Sequence, residues 1–218
     1  MPDFLDLIRD DHHDFDKGTL SYSSHLNPFD LFHQWYKDAF DNKQAEANAL
    51  VLGTVSEKGI PSSRVLYLKE LSDEGFVFYT NYDSQKGKEI AVNPVSSMLF
   101  FWNSLERQVR VQGSIKKIRE EQSDTYFASR PRESQIGAWA SFQSQKLASR
   151  NELQERFDKL NIQYAGQDIP RPPHWGGYVL VPNLIEFWQG RSSRLHDRIV
   201  FERSSTEDLV WDCYRKNP

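Results

Sequence analysis

Arg194, His196 and Arg198 stand two residues apart in Arg194-Leu195-His196-Asp197-Arg198, just after Glu186-Phe187-Trp188-Gln189-Gly190. An aromatic run enters a Gly/Ser connection and leaves toward Ile199, Val200 and Phe201, which reads as strand, tight connection, strand. If the second segment is extended, the three side chains share one face at steps of about 7 Å. Two fixed cations then flank an imidazole, a set suited to an anionic or electron-rich ligand. Alone, R-x-H-x-R also describes a solvated face of an edge strand. Trp188 beside it points instead to a flat ligand.

Other cations come in settings that suit phosphate. Arg64 and Lys69 punctuate an apolar strand; five residues apart, they lie roughly 16 Å distant and on opposite faces of a straight strand. Without a bend they serve two separate anions, or simply mark strand ends in solvent. Ser84-Gln85-Lys86 opens a helix, where N–H groups and an ammonium can hold a phosphate, although an ordinary capped surface helix looks the same. Tyr126 and Arg130 are i,i+4 neighbours at a helix end, with Ser134 just beyond. With Lys69 they make a clamp of hydroxyl and cation donors; an Arg placed there for the helix dipole is the plainer alternative. Gln108 and Gln143-Ser144 are neutral groups able to meet a heterocycle with both donors and acceptors, or surface amides.

The elements that position these groups follow from pattern. Asn27-Pro28 is an N-cap with proline at the first helical position, and Phe29, Phe32, Trp35, Tyr36 and Phe40 continue at helical spacing to about Asn42. That aromatic stripe reads as core. Strands follow over 49–55, 62–71 and 76–81, a short helix over 84–92, and a strand pair over 95–102 and 108–118. Helices over 120–129, 134–140 and 147–164 form an insertion at about 119–165. After a proline-rich connector a strand returns over 178–188. Strands, then helices, then strands again predict a mainly β chain with outer helices (α+β), a small barrel. There is no G-x-G-x-x-G and no Walker loop, so phosphate must be held by side chains.

Composition limits the partners. The chain has 218 residues, 38% hydrophobic and 13% aromatic, with a formal charge of −4. Residues 1–26 read as a mobile N-terminal arm and 27–218 as one domain. The net charge gives no general pull toward nucleic acid or membrane, and no long apolar run suggests a span. A lone Cys213 and an Asp-rich start without a leader pattern predict a soluble, cytoplasmic protein. The six His show no metal-ligand spacing, so no metal is expected.

The E-F-W-Q-G … R-L-H-D-R run resembles the C-terminal signature of the pyridoxine (pyridoxamine) 5'-phosphate oxidase family. R-V-L-Y-L-K, F-Y-T-N, R-Q-V-R-V, Y-F-A-S-R-P-R-E-S-Q-I-G-A-W, Q-S and H-W-G-G-Y look like that family's motifs in its order, from about Pro28 to Phe201. The resemblance implies an FMN-binding split β-barrel working as a homodimer with shared active sites. FMN would meet Arg64, Val65, Lys69, Tyr79, Thr80, Lys86, Gln108, Gln143, Ser144, Trp188 and Arg198. The substrate phosphate would meet Lys69, Tyr126, Arg130 and Ser134, while Arg194 and His196 would face the pyridine ring and carry the chemistry. The implied enzyme is a pyridoxal 5'-phosphate synthase, oxidising pyridoxamine or pyridoxine 5'-phosphate with O2 and releasing H2O2. A paralogue that binds flavin or B6 vitamers without turnover is the rival. Three places depart from the family pattern. His12-His13-Asp14-Phe15 lacks the lid's Arg and Tyr, Gln85 replaces an Arg, and the chain ends Tyr214-Arg215-Lys216-Asn217-Pro218.

Overall fold

The computed structural model describes residues 14–21 and 27–218. Most of the expected N-terminal arm, residues 1–13 and 22–26, lies outside the described residues. Helix α1 (Pro28–Asp41) begins where the Asn27 side chain accepts from the Phe29 N–H at 2.8 Å, with Pro28 needing no such partner. The strands are β1 (Ala49–Val55), β2 (Pro61–Tyr67), β3 (Glu70–Leu71), β4 (Phe76–Asn81), β5 (Val95–Trp102), β6 (Arg107–Lys117), β7 (Trp175–Gln189), β8 (Asp197–Glu202) and β9 (Asp212–Arg215). Helix α2 (Gln85–Val92) joins β4 to β5, and α3 (Glu120–Ser129), α4 (Arg132–Ala140) and α5 (Arg150–Gln163) separate β6 from β7.

The sheet runs β2-β1-β5-β6-β7-β4-β3, with β8 on β7 and β9 on β8. Where registers are defined they are antiparallel. The α+β class expected from the pattern is therefore the one observed. Among the described residues no helix is long and apolar enough to cross a membrane.

The chain forms two compact units, one of described residues up to Ala47, Leu99–Val111 and Leu184–Pro218, the other of Asn48–Met98 and Gln112–Asn183. In the first, α1 lays Phe32 and Trp35 on strand aromatics. Phe32 meets Phe100 edge-on at 5.0 Å, Trp35 meets Phe187 at 5.2 Å, and Phe187 meets Phe201 at 5.8 Å. The Trp102 indole N–H donates to the Ala47 carbonyl at 2.9 Å, so a buried donor is satisfied. Of the aromatic stripe, Phe32 and Trp35 are core as expected, Phe29 and Tyr36 are half-buried, and Phe40 is 71% exposed because Ala39 takes the inward position.

In the second unit, β1 alternates half-buried or exposed residues with buried Leu50, Leu52 and Thr54. A separate cluster of Phe127, Ile136, Ile169 and Trp175 fastens α3, α4 and the Pro-rich connector, with Phe157 and Leu160 of α5 against it.

One expected strand is broken. Instead of running through 62–71, the chain leaves β1 and joins β4. Leu68 N–H still donates to Asn48 O at 2.8 Å, whereas Lys69 N–H donates to Val77 O at 2.9 Å. This change of partner ends β2 at Tyr67.

Phe32 is 1% exposed and at the centre of the first unit's aromatic core. Phe32→Ala should cost roughly 3–5 kcal/mol, the range for buried Phe truncations. Urea unfolding should show this as a lower midpoint at unchanged slope.

Candidate active site

The second unit contains a cavity of about 910 Å³, lined by two groups of side chains that could hold anions. The first group is built around α2. Ser84 caps this helix by accepting from the Gly87 N–H, and Gly87 lets it press on the preceding turn: a Cβ there would sit 2.1 Å from the Tyr82 carbonyl oxygen. That approach sets Lys86, whose Nζ lies 3.3 Å from Thr80 Oγ1, 3.2 Å from Gln143 Oε1 and 3.5 Å from Ser84 Oγ. All three partners are neutral oxygens. Burial, then the charge of Arg64, lowers the Lys86 pKa, although Glu89 works against this.

Arg64 lines the same cavity and is anchored from behind. Its guanidinium donates to Thr54 Oγ1 at 2.5 Å, Ser62 Oγ at 2.7 Å and the Glu89 carboxylate at 3.3 Å. Glu89 also accepts from Thr54, Ser62 and Gln85. Burial alone would raise its carboxyl; the hydrogen bonds from Thr54, Gln85 and Ser62, with the Arg64 charge, hold it at about 2. Sequence reading missed Glu89. Its signal was the i,i+4 spacing from Gln85, whose amide is spent on that carboxylate at 2.9 Å.

The second group is Lys69, Tyr126, Arg130 and Ser134, all on the cavity wall. The straight strand assumed for Arg64 and Lys69 is bent, because the chain changes sheet partner between Tyr67 and Lys69, and both residues line one cavity. Arg130 leaves α3 as its C-cap in extended backbone. Its guanidinium carbon stands 4.6 Å from the centre of the Trp175 ring, and its buried Nη1 has no hydrogen-bond partner. Burial lowers its pKa. Tyr79 stacks on Tyr126 at 3.9 Å and on Trp175 at 5.5 Å; burial, then the charge of Glu70, pushes its phenol up to about 12. Neither Lys86 nor Arg130 has an ion-pair partner among the described residues. A set of half-buried cations with neutral neighbours fits phosphorylated ligands.

Val65 and Thr80 also line this cavity, with Val65 63% exposed. Ser144 does not. It takes a left-handed backbone (φ 69°) and lines a separate cavity of about 190 Å³ that shares Gln143 with the first.

Gln108, Trp188, Arg194, His196 and Arg198 belong to the first unit. Gln108 is half-buried on β6. The strand geometry expected for Arg194–Arg198 is not what forms. Ser192–Arg194 make a 3₁₀ turn in which Ser193 and Arg194 have φ of 57° and 61°, and β8 starts only at Asp197. Gly/Ser chemistry ends the strand too early for alternation to apply. Arg194 is exposed in the turn. His196 Nδ1 accepts from the Arg191 N–H at 3.1 Å, which leaves the proton of the neutral ring on Nε2. Its ring lies 4.6 Å from that of Trp188. Burial, then the charges of Arg194 and Arg198, lowers its pKa.

Trp188 pairs with Arg198 across β7 and β8, so both share a face with Glu186. Glu186, 2% exposed, accepts from Arg198 at 2.6 and 2.9 Å and from Arg110 at 2.5 Å. The Arg198 guanidinium also donates to Asn217 O at 3.0 Å, giving the divergent C-terminus a contact with it. Phe15, at the position where a lid hydroxyl was missing, sets its ring edge-on to Trp188 at 5.8 Å and His196 at 5.7 Å. The Asp14 carboxylate accepts from Ser193 N–H at 3.3 Å and Asp197 accepts from Leu20 N–H at 3.1 Å.

Glu89→Gln should cost on the order of 2 kcal/mol at pH 7, less than the roughly 3–5 of a fully buried pair because Arg64 keeps some solvent. The wild-type carboxyl titrates at about 2 when folded, below its ordinary 4.5. Its contribution is thus complete above 4.5 and lost as pH falls toward 2. Urea unfolding at pH 7 and pH 3 should show a smaller acid loss in the variant.

Comparison with known proteins identifies the family. Residues 36–164 match the pyridoxamine 5'-phosphate oxidase family, and 175–218 match the pyridoxine 5'-phosphate oxidase C-terminal dimerisation region. The pyridoxine/pyridoxamine 5'-phosphate oxidase of Paraburkholderia phytofirmans is 54% identical over 192 residues, 88% of this chain and 89% of that protein. That of Microcystis aeruginosa is 47% identical over 199 residues, 91% and 92% of the two chains. Among solved structures, PhzG from Burkholderia lata, in complex with tetrahydrophenazine-1-carboxylic acid, superposes with a TM-score of 0.81 at 29% identity, over 92% of this chain and all of PhzG. A pyridoxamine 5'-phosphate oxidase-related, FMN-binding protein of Nostoc punctiforme shares the fold, with a TM-score of 0.70 at 16% identity over 88% of this chain and 99% of that one. On family match and on identity over most of its length, the chain belongs to the pyridoxamine 5'-phosphate oxidase family.

Proposed function

We propose that the protein is an FMN-dependent oxidase that converts pyridoxamine or pyridoxine 5'-phosphate to pyridoxal 5'-phosphate, with O2 as acceptor and H2O2 as product. The observation that carries this reading is the single cavity with two anion-binding groups, one around Lys86 and one around Arg130. Arg64, Thr80, Lys86 and Gln143 are assigned to FMN, and Lys69, Tyr126, Arg130 and Ser134 to the substrate phosphate. When bound, FMN supplies the two-electron acceptor at the substrate's 4'-carbon, and O2 takes those electrons onward.

The chain's own work is orientation and electrostatics. Cations hold each phosphate while stacked Tyr79, Tyr126 and Trp175 wall the cavity. Arg194 and His196 are assigned to the substrate ring, in a homodimer whose sites draw on both chains. The dimerisation-region match and the exposed apolar Val65 and Tyr67 on β2 support that assembly. With Nδ1 accepting from the Arg191 N–H, the neutral His196 ring offers Nε2–H as a hydrogen-bond donor toward the substrate and keeps that proton throughout. Residues 27–218 are taken as the catalytic domain and 1–26 as its arm, in a cytoplasmic protein.

The likeness to PhzG favours a second reading, a carboxylated polycyclic substrate. Four donors around one anion suit a phosphate dianion better than a carboxylate. Aerobic assays with added FMN separate the two. Aldehyde and peroxide should form from pyridoxamine 5'-phosphate, and yellow protein without turnover at saturating substrate would mean a binding protein instead.

Lys86→Ala should lower FMN retention at least tenfold on gel filtration. Arg194→Ala should keep its flavin and lose about 10²–10³ in kcat/KM, the range for removing one charge-stabilising donor. Because the His196 pKa is lowered from 6.5, the neutral ring persists at pH 7, and an acid limb in the rate should appear only below pH 6.5.

A further inference from the structure

We infer that Trp175 is a positioning residue for the anion clamp: its indole face fixes the Arg130 guanidinium so that the cavity selects a phosphate monoester over the same ring without phosphate. The inference deepens the proposed function and rests on it.

A guanidinium this buried is normally held by a carboxylate, which takes up its N–H groups. Arg130 is instead held by aromatic faces, with its guanidinium carbon 4.6 Å from the Trp175 ring centre and 5.6 Å from that of Phe127. Stacking fixes the plane of the fork without consuming a donor, and the buried Nη1 is left without a partner. With no carboxylate paired to the guanidinium among the described residues, the fork of Arg130 on the cavity wall keeps donors for an incoming oxyanion. The same indole lies nearly parallel to the Tyr126 ring, 6° apart at 6.2 Å, and to Tyr79, 12° apart at 5.5 Å. One side chain therefore orients two of the four phosphate donors.

Trp175 is itself held firmly. It is 7% exposed and edge-on to Phe127 at 5.2 Å. Its N–H donates to Pro172 O at 3.0 Å, and its carbonyl accepts from Arg171 at 2.7 Å. The next residue must be small, since a Cβ on Gly176 would come within 2.1 Å of the Tyr82 hydroxyl. The Trp-Gly pair thus docks this end of β7 closely and delivers the indole to the cavity wall.

The test titrates FMN-loaded protein with pyridoxal 5'-phosphate and with pyridoxal. Wild type should prefer the phosphorylated ligand. Trp175→Leu should weaken pyridoxal 5'-phosphate binding about tenfold and change pyridoxal binding by less than about twofold. Trp175→Phe, which keeps a π face, should restore the phosphorylated ligand to within about threefold of wild type. Arg130→Lys should lose most of the phosphate preference although the charge is kept, because an ammonium does not stack as a planar fork. If Trp175→Leu fails to fold, Trp175→Phe together with Arg130→Lys still tests the inference. The inference is overturned if Trp175→Leu weakens both ligands equally, if Trp175→Phe is as poor as Trp175→Leu, or if Arg130→Lys keeps the full preference. A wild type indifferent to the phosphate would overturn the proposed function as well, whereas a preference that survives in Trp175→Leu overturns only the role of Trp175.

Discussion

Half-buried positive charge without a matching carboxylate is the constraint on which the cavity depends. Burying an ammonium or guanidinium is costly unless something compensates. The fold compensates Arg64 with Glu89 but gives Lys86 only neutral oxygens and Arg130 aromatic faces. The lowered pKa values of Lys86 and Arg130 register that cost. An anionic ligand removes it, so part of the binding free energy is stored in the protein before ligand arrives. Arg64 spends its Nη groups on Leu52, Thr54, Ser62 and the Glu89 carboxylate, which together fix its guanidinium at the cavity wall.

Backbone events put these charges together. The change of partner from β1 to β4 at Leu68–Lys69 turns the strand, so that Arg64 and Lys69 reach one cavity. Gly87 brings α2 against Tyr82, and Ser84 caps its first turn. The helices between β6 and β7 contribute through a small aromatic cluster of their own, in which Trp175 belongs to both the core and the cavity wall. Packing and binding therefore share residues here.

The other unit organises its Arg194–Arg198 segment differently. The Ser192–Arg194 turn stores strain in two successive left-handed residues that are not glycine. It is steadied by the Asp14 carboxylate on Ser193 N–H and the Arg191 N–H on the His196 ring. Arg198 is tied to Glu186, which also holds Arg110. The described part of the N-terminal segment packs the Phe15 ring edge-on against Trp188 and His196.

Much of this was legible in residue order. Hydrophobic alternation, the Asn27-Pro28 cap and the Gly/Pro punctuation located α1, α2 and most strands to within a few residues, because those signals are local. The residue types at Lys69, Lys86, Tyr126, Arg130 and Ser134 allowed phosphate chemistry but equally described a strand end, a capped surface helix and a helix terminus, and it was the motif resemblance that singled them out. What sequence could not decide was anything set by contacts between distant segments. Straight-strand alternation put Arg64 and Lys69 on opposite faces and Arg194 to Arg198 on one, and in both places the backbone departs from a straight strand. Glu89 read only as part of a short helix and Trp175 as the end of a proline-rich connector, until folding set one against Arg64 and the other against Arg130. Local periodicity fixes which face a residue shows, but only tertiary packing determines what that face meets.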